Sequence, residues 1–130
     1  MEKTIFQKII DREIPADIVY EDDKVIAFMD VHPVSKGHLL LITKIPYPWM
    51  QDVPDETLGY TFVKAKVLMD GMKKALECDY VQLSVVGKDV PHFHIHLMPR
   101  FLNDSLHGWP TVQYEESEKG VYAEKIKSSL

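Results

Sequence analysis

The segment "VPHFHIHLMPR", Val90 to Arg100, spaces three of the chain's six histidines two residues apart. Alternation at that spacing is the period of a β-strand, whose successive side chains point to opposite faces. A strand here puts His92, His94 and His96 on one face and Phe93, Ile95 and Leu97 on the other. The apolar face needs a cover, so the chain must build a sheet with another layer packed on it. The histidine face is expected to open to solvent or a ligand, because three neighbouring buried imidazoles would each need hydrogen-bond partners and would resist charging.

The rest of the chain supplies those layers. "TIFQKII" reads as a Thr4-x-x-Gln7 capping box leading into a short helix with Ile5, Phe6, Ile9 and Ile10 on one side. "DIVYEDDKVIAFMD" gives two apolar runs around the polar turn Glu21–Lys24, a hairpin pattern, and Leu39–Ile42 is a continuous apolar run suited to a strand covered on both faces. A long helix follows Pro54, with Leu58, Phe62, Ala65, Met69, Met72 and Leu76 at alternating steps of four and three. "YVQLSVVG" predicts one more strand, joined to the histidine strand through the short turn "GKDVP". Past Arg100 the sequence mixes turn residues with isolated aromatics, and only "VYAEKIKSSL" suggests a closing helix. The order predicts an α+β domain: an antiparallel sheet of about five strands, a short N-terminal helix and one long helix.

At 130 residues the chain fits one domain, 1–130, that buries roughly two-thirds of its unfolded surface. No apolar run approaches the roughly 20 residues that span a bilayer, and the charged N-terminus lacks a secretory pattern, so a cytoplasmic protein without a membrane partner is expected. Cys78 is the only cysteine, which excludes an internal disulfide and any Cys-x-x-Cys motif. A formal charge of −5 without a basic stripe argues against nucleic acid as a partner.

Three readings of the histidines compete. As plain polar residues on a half-exposed strand they take a place that Thr, Lys, Glu or Ser normally fills. As metal ligands, His92 and His96 lie roughly 13 Å apart at their backbones, so three nitrogens can hardly converge within about 2 Å of one ion, though two could ligate with a carboxylate or histidine from elsewhere. As a nucleophilic centre, a neutral imidazole attacks phosphorus while its other nitrogen donates to a backbone carbonyl. Its flanking imidazoles then hydrogen-bond the phosphoryl oxygens and the leaving group. The middle histidine suits the attack, having a neighbour on each side.

His92-Phe93-His94-Ile95-His96-Leu97-Met98 matches the His-φ-His-φ-His-φ-φ signature of the histidine triad (HIT) family, φ being apolar. "TIFQKIIDREIPADIVYEDDKVIAFMDVHPVSKGHLLLITK" resembles that family's N-terminal half almost throughout, so the resemblance covers about residues 4–100 and leaves 101–130 as a tail. It implies a HIT-like fold and nucleotide hydrolysis or transfer at the α-phosphate, through a nucleotidyl-histidine on His94. His92 and His96 become phosphate and leaving-group partners, and His38 the supporting fourth histidine. Asp30 matches the acidic residue that binds the ribose hydroxyls, and Ile5, Phe6, Ile9, Phe28, Val31 and Leu40 match the nucleobase pocket. Read without the family, Ile9 and Leu40 are core residues and Asp30 a turn residue.

The chain departs from the family where Gly-Gln-Ser/Thr-Val often precedes the first histidine, carrying Gly87-Lys88-Asp89-Val90 instead. Lys88 would clamp a phosphate, while Asp89 repels one unless protonated, turned away or paired with Lys88. The zinc-binding Cys-x-x-Cys of some relatives is replaced by Thr4 and Gln7. The resemblance further implies a twofold homodimer, in which Trp109 and His107 of the tail reach a site, its own or the partner's, or the tail simply packs. The expected activity is hydrolysis of a purine nucleoside phosphoramidate or related mononucleotide derivative, with no cofactor or metal. The alternative is a nucleotide-binding or interaction protein with little catalysis.

Overall fold

Thr4 starts the first element. In the computed structural model, which describes residues 2–130, its side chain accepts a hydrogen bond from the Gln7 amide at 3.2 Å and opens helix α1, Ile5–Ile10. Only half of the capping box forms, because the Gln7 side chain turns to the Asp11 carboxylate rather than back to Thr4.

The hairpin follows as strands β1, Ile18–Glu21, and β2, Val25–Met29. Asp22 holds its turn: one carboxylate oxygen accepts the amides of Lys24 and Val25 at 2.8 and 2.9 Å, and the other accepts the hydroxyls of Tyr20 and Tyr60. Burial pushes this carboxyl up, but the Tyr60, Tyr20 and amide bonds outweigh it and bring its pKa to about 2. Strand β3 is Leu39–Thr43, buried on both faces as its continuous apolar run requires.

Strands β4, Tyr80–Ser84, and β5, His94–Arg100, complete a fully antiparallel sheet in the order β1-β2-β3-β5-β4. The connection between them runs from Val85 to Phe93, longer than the short turn expected, and "VVG" lies outside the strand. His92 is also outside β5. Pro91 has no amide to give a ladder, the His92 amide closes a tight turn onto the Val90 carbonyl, and the Phe93 amide bonds Tyr47.

Helix α2, Asp55–Leu76, covers one face of the sheet. Its buried stripe is Thr61, Ala65, Leu68, Gly71 and Met72, rotated from the predicted one so that Leu68 is sealed while Leu58, Phe62, Met69 and Leu76 sit half-buried at the margin. Thr61 tolerates full burial because its hydroxyl donates to the Thr57 carbonyl at 2.7 Å. The core beneath joins Ala27, Leu39, Leu41, Ile95 and Leu97 to this stripe.

The tail belongs to the same core. Helix α3, Glu118–Ser128, is a third helix that begins earlier than "VYAEKIKSSL", and it buries Ala123 and Ile126. A side chain the size of Ile126, fully enclosed, contributes about 1.5–3 kcal/mol. Arg100, itself buried, bonds the Asp104 carboxylate at 2.7 and 3.1 Å and the Leu106 carbonyl at 2.9 Å, fixing the turn where the tail leaves β5. The Tyr114 hydroxyl accepts the Gly37 amide at 2.8 Å and ties the tail to the loop ahead of β3.

The other sheet face carries a second apolar cluster, Ile26, Phe28, Leu40 and Ile42, closed by Phe6 and Ile9 from α1. The β3–β5 register sets His94 opposite Ile42 and His96 opposite Leu40, so both imidazoles rise from this face. Among the described residues no helix is long and apolar enough to cross a membrane.

Candidate active site

The histidines are nearly sealed rather than open to solvent: His38 and His92 expose nothing, His94 4 % and His96 9 %. Burial on this scale is tolerable because backbone groups and other imidazoles fix the rings' tautomers. The Val34 amide can only donate, and it bonds His38 Nδ1 at 2.9 Å, so Nδ1 carries the lone pair and Nε2 the hydrogen. His38 Nε2–H then donates to His96 Nδ1 at 3.0 Å. His96 is left with its hydrogen on Nε2.

A separate chain sets His94. Its Nδ1 lies 2.7 Å from the His92 carbonyl, which accepts only, so Nδ1 carries the hydrogen and, in the neutral ring, Nε2 the lone pair. His92 Nε2 donates to the Thr43 carbonyl at 2.6 Å. The other nitrogen of His92, Nδ1, is buried without a partner. The structure therefore gives His92 two roles at the site, its carbonyl on His94 and its ring in the packing. Phe6 seats both rings edge-on, with centroids 5.0 Å from His94 and 6.0 Å from His92.

Burial depresses the proton affinity of these imidazoles. It takes His38 to about 3, with His96 pushing the same way, and His96 to about 4, where His94 adds to the fall and Asp89 opposes it. Burial also lowers His92, against the Thr43 bond that raises it. These three rings are neutral at pH 7.

His94 and His96 line a cavity of about 340 Å³ together with Val86, Lys88, Asp89 and Trp109. Trp109 stands edge-on to His96 at 4.9 Å and to His38 at 6.2 Å, so the tail reaches the site of its own chain. His107 is exposed and is not among the residues that line this cavity. Lys88 and Asp89 are not paired with each other, nor with any opposite charge within 4.0 Å among the described residues.

Asp30 stands at the same ring nitrogen of His38 that faces His96. One of its carboxylate oxygens accepts the His32 amide at 2.8 Å and the other stands 3.5 Å from His38 Nε2. Burial pushes this carboxyl up, against the lowering by the His32 amide. Of the residues matched to a base pocket, Phe6, Ile9, Phe28 and Leu40 are packed together in the second apolar cluster. Ile5 and Val31, 52 % and 62 % exposed, stand at the surface.

Asp30, His38 and His96 bring one donor atom each within 4.8 Å of one another, a spacing that could hold a metal ion. The tautomers do not fit one. A metal needs the lone pair of His38 Nε2, but the Val34 amide occupies Nδ1 and leaves the hydrogen on Nε2. Within the cluster, His38 and His96 are joined by a hydrogen bond and Asp30 stands beside them.

Several supporting groups carried no signal in the sequence. Val34 and Thr43 act through backbone atoms, and the Trp49 ring lies against Gly87, which leads into Lys88 and Asp89. Gly87 adopts a left-handed φ of +72°, and a Cβ there would come within 3.1 Å of the Trp49 ring.

Residues 11–103 match the model of the HIT domain. The chain is 38 % identical over 105 residues to the purine nucleoside phosphoramidase of Escherichia coli, covering 75 % of this chain and 87 % of that one. It is 34 % identical over 107 residues to an adenylylsulfatase of Arabidopsis thaliana, covering 78 % and 54 %. The crystal structure of a Hit-like protein from Bartonella henselae superposes with a TM-score of 0.90 at 33 % identity, over 98 % of this chain and 96 % of that one. With its alternating histidines on the central antiparallel sheet and the domain match across most of its length, the chain belongs to the HIT family.

Proposed function

We propose that this protein hydrolyses a purine nucleoside 5′-phosphate derivative at its α-phosphorus, through a covalent nucleotidyl intermediate on His94. One observation carries the reading: the His92 carbonyl holds the Nδ1 hydrogen of His94, so an Nε2 lone pair is available in a cavity of about 340 Å³. Attack forms an Nε2–phosphorus bond as the bond to the leaving group breaks. The leaving group keeps that electron pair and takes up a proton. Water then attacks the same phosphorus, releases the nucleoside monophosphate and restores neutral His94. In sum one water is consumed, its hydroxyl ending on phosphorus and its other hydrogen on the leaving group.

His96 supports the step as a hydrogen-bond donor. With Nδ1 held by His38, its Nε2–H remains for a phosphoryl oxygen or the leaving atom. Lys88 supplies the positive charge in the cavity that the phosphate needs. Asp30 suits a ribose, since a carboxylate accepts from both hydroxyls. Ile5 and Val31 present apolar surface to a nucleobase, with Phe6, Ile9, Phe28 and Leu40 packed behind them. The E. coli relative's name supports the purine and the phosphorus–nitrogen bond, while the plant relative's name indicates that leaving groups vary within the family.

A homodimer completes the proposal. Strand β4 is an edge of the sheet with an open side, and α2 exposes Val63 and Val67, so pairing two copies would cover both.

Mass spectrometry of the protein quenched in a single turnover of adenosine 5′-phosphoramidate should find a nucleotidyl adduct on His94. Full turnover by His94→Ala would overturn the assignment. Activity should persist in a strong chelator, whereas its loss would favour a metallohydrolase. The unpaired charges of Lys88 and Asp89 favour a second reading, nucleotide binding with little turnover. Monophosphate binding without hydrolysis of any phosphoramidate, dinucleoside polyphosphate or sugar nucleotide would establish that one.

A further inference from the structure

The cavity beside His94 holds two formal charges, Lys88 and Asp89, that form no ion pair within 4.0 Å among the described residues. Their loop starts against Trp49: Gly87 has a left-handed backbone, and a Cβ there would crowd the indole at 3.1 and 3.2 Å. The neighbouring wall is Trp109, 47 % exposed and set against His96. Three features therefore converge beside the nucleophile: one ammonium, one carboxylate and one indole.

A nucleotide's α-phosphate brings negative charge to His94, and Lys88 is the one permanent cation among the lining residues. Once Lys88 meets that phosphate, Asp89, whose negative field reaches His96, is left as an uncompensated anion beside that ring. Indole is the strongest aromatic host for an ammonium ion, so Trp109 adds to the same preference. We propose that Asp89 and Trp109 form a leaving-group subsite that selects substrates whose leaving group is a cationic amine and disfavours anionic ones such as sulfate or phosphate. This deepens the assignment of His94 as a nucleophile at an α-phosphate and rests on it. The size of the preference follows from Coulomb's law. A unit charge roughly 7 Å from Asp89, at an effective dielectric constant of about 20 to 60, changes affinity about 4- to 50-fold in one direction for a cation and in the other for an anion.

The test uses three adenosine 5′-phosphoramidates with the same phosphorus–nitrogen bond and leaving amines of similar length, ending in an ammonium, a methyl or a carboxylate group. kcat/KM is measured on the wild type, Asp89→Asn, Asp89→Lys and Trp109→Leu, and dissociation constants on His94→Ala with and without Asp89→Asn. The expected order on the wild type is cationic, then neutral, then anionic, with at least about tenfold between the extremes. Asp89→Asn should collapse that ratio, Asp89→Lys should reverse it, and Trp109→Leu should weaken the cationic compound more than the neutral one. Added salt should narrow the spread. A flat or inverted order on the wild type, or one that Asp89→Asn leaves unchanged, overturns the subsite. Failure of the catalytic assignment is separate: it shows as no turnover by the wild type, or as turnover surviving in His94→Ala. In the first case dissociation constants still report the charge order, and in the second kcat/KM does.

Discussion

Acidification should destabilise this protein through His38 before most of its carboxylates titrate. The imidazole exposes no surface, and burial, aided by His96, lowers its pKa from 6.5 to about 3. A base whose pKa falls on folding binds more protons unfolded than folded, so stability rises with pH across the interval between the two values. The contribution is complete above pH 6.5 and is lost progressively as pH falls towards 3. Between pH 7 and pH 5 the unfolded imidazole becomes almost fully protonated while the folded one stays neutral, so integrating the linkage gives about 2 kcal/mol from His38 alone. His38→Asn isolates that share, because asparagine's carbonyl can accept the Val34 amide in place of Nδ1. The variant should be about 1–3 kcal/mol less stable at pH 7, since His96 Nδ1 loses its donor in a buried position. Its further loss on going to pH 5 should be about 2 kcal/mol smaller than that of the wild type. Urea titrations at fixed protein concentration, followed by tryptophan fluorescence, read both quantities. Superimposable pH dependences for the two proteins would refute the neutral, buried assignment of His38.

Gly37→Ala should cost about 2–4 kcal/mol of stability by urea titration, because φ is +104° there and the new Cβ would meet Leu76 at 2.6 Å and Pro99 at 3.1 Å. Gly87→Ala should shift Tm by only a few degrees yet lower kcat/KM about tenfold, since the Cβ would drive the Lys88–Asp89 loop off the Trp49 ring. Val67→Glu should convert a dimer into a monomer in sedimentation experiments at tens of micromolar, and a wild type that sediments as a monomer there would refute the proposed interface.

What the sequence disclosed and what it withheld divide by the range of the interactions involved. The alternation at His94, Ile95 and His96 is local, and it placed the imidazoles on one face and the aliphatic residues on the other. The same alternation overreached at His92, because Pro91 and the turn it enforces delay the strand by two residues. α3 was only partly legible, since just two of its eleven residues are buried and its hydrophobic stripe is correspondingly thin. The packing of the tail depends on pairs such as Tyr114 with Gly37, far apart in the chain and with no local trace. Burial of the histidines was hidden for a related reason. The sequence shows three imidazoles that need partners, but their partners are mostly backbone atoms of Val34, Thr43 and His92, which any residue at those positions would offer.

That backbone control has a consequence for His92, whose sequence pattern suggests a phosphate contact. In the structure its ring donates to the Thr43 carbonyl and lies outside the residues that line the cavity, while its carbonyl fixes His94. The polarity of the site, a lone pair on His94 next to an N–H on His96, is written by the main chain from two ends that do not share an atom. A side-chain change at His92 should therefore spare the nucleophile's tautomer. Glutamine can keep the donation to Thr43, and the remaining damage is looser packing against Phe6. His92→Gln should retain kcat/KM within about tenfold of the wild type, and nitrogen chemical shifts of His94 should still report a hydrogen on Nδ1. If His92→Gln is as inactive as His94→Ala while His94 keeps its Nδ1 hydrogen, the ring of His92 meets the substrate directly. The loop at Val90–Phe93 must then rearrange on binding.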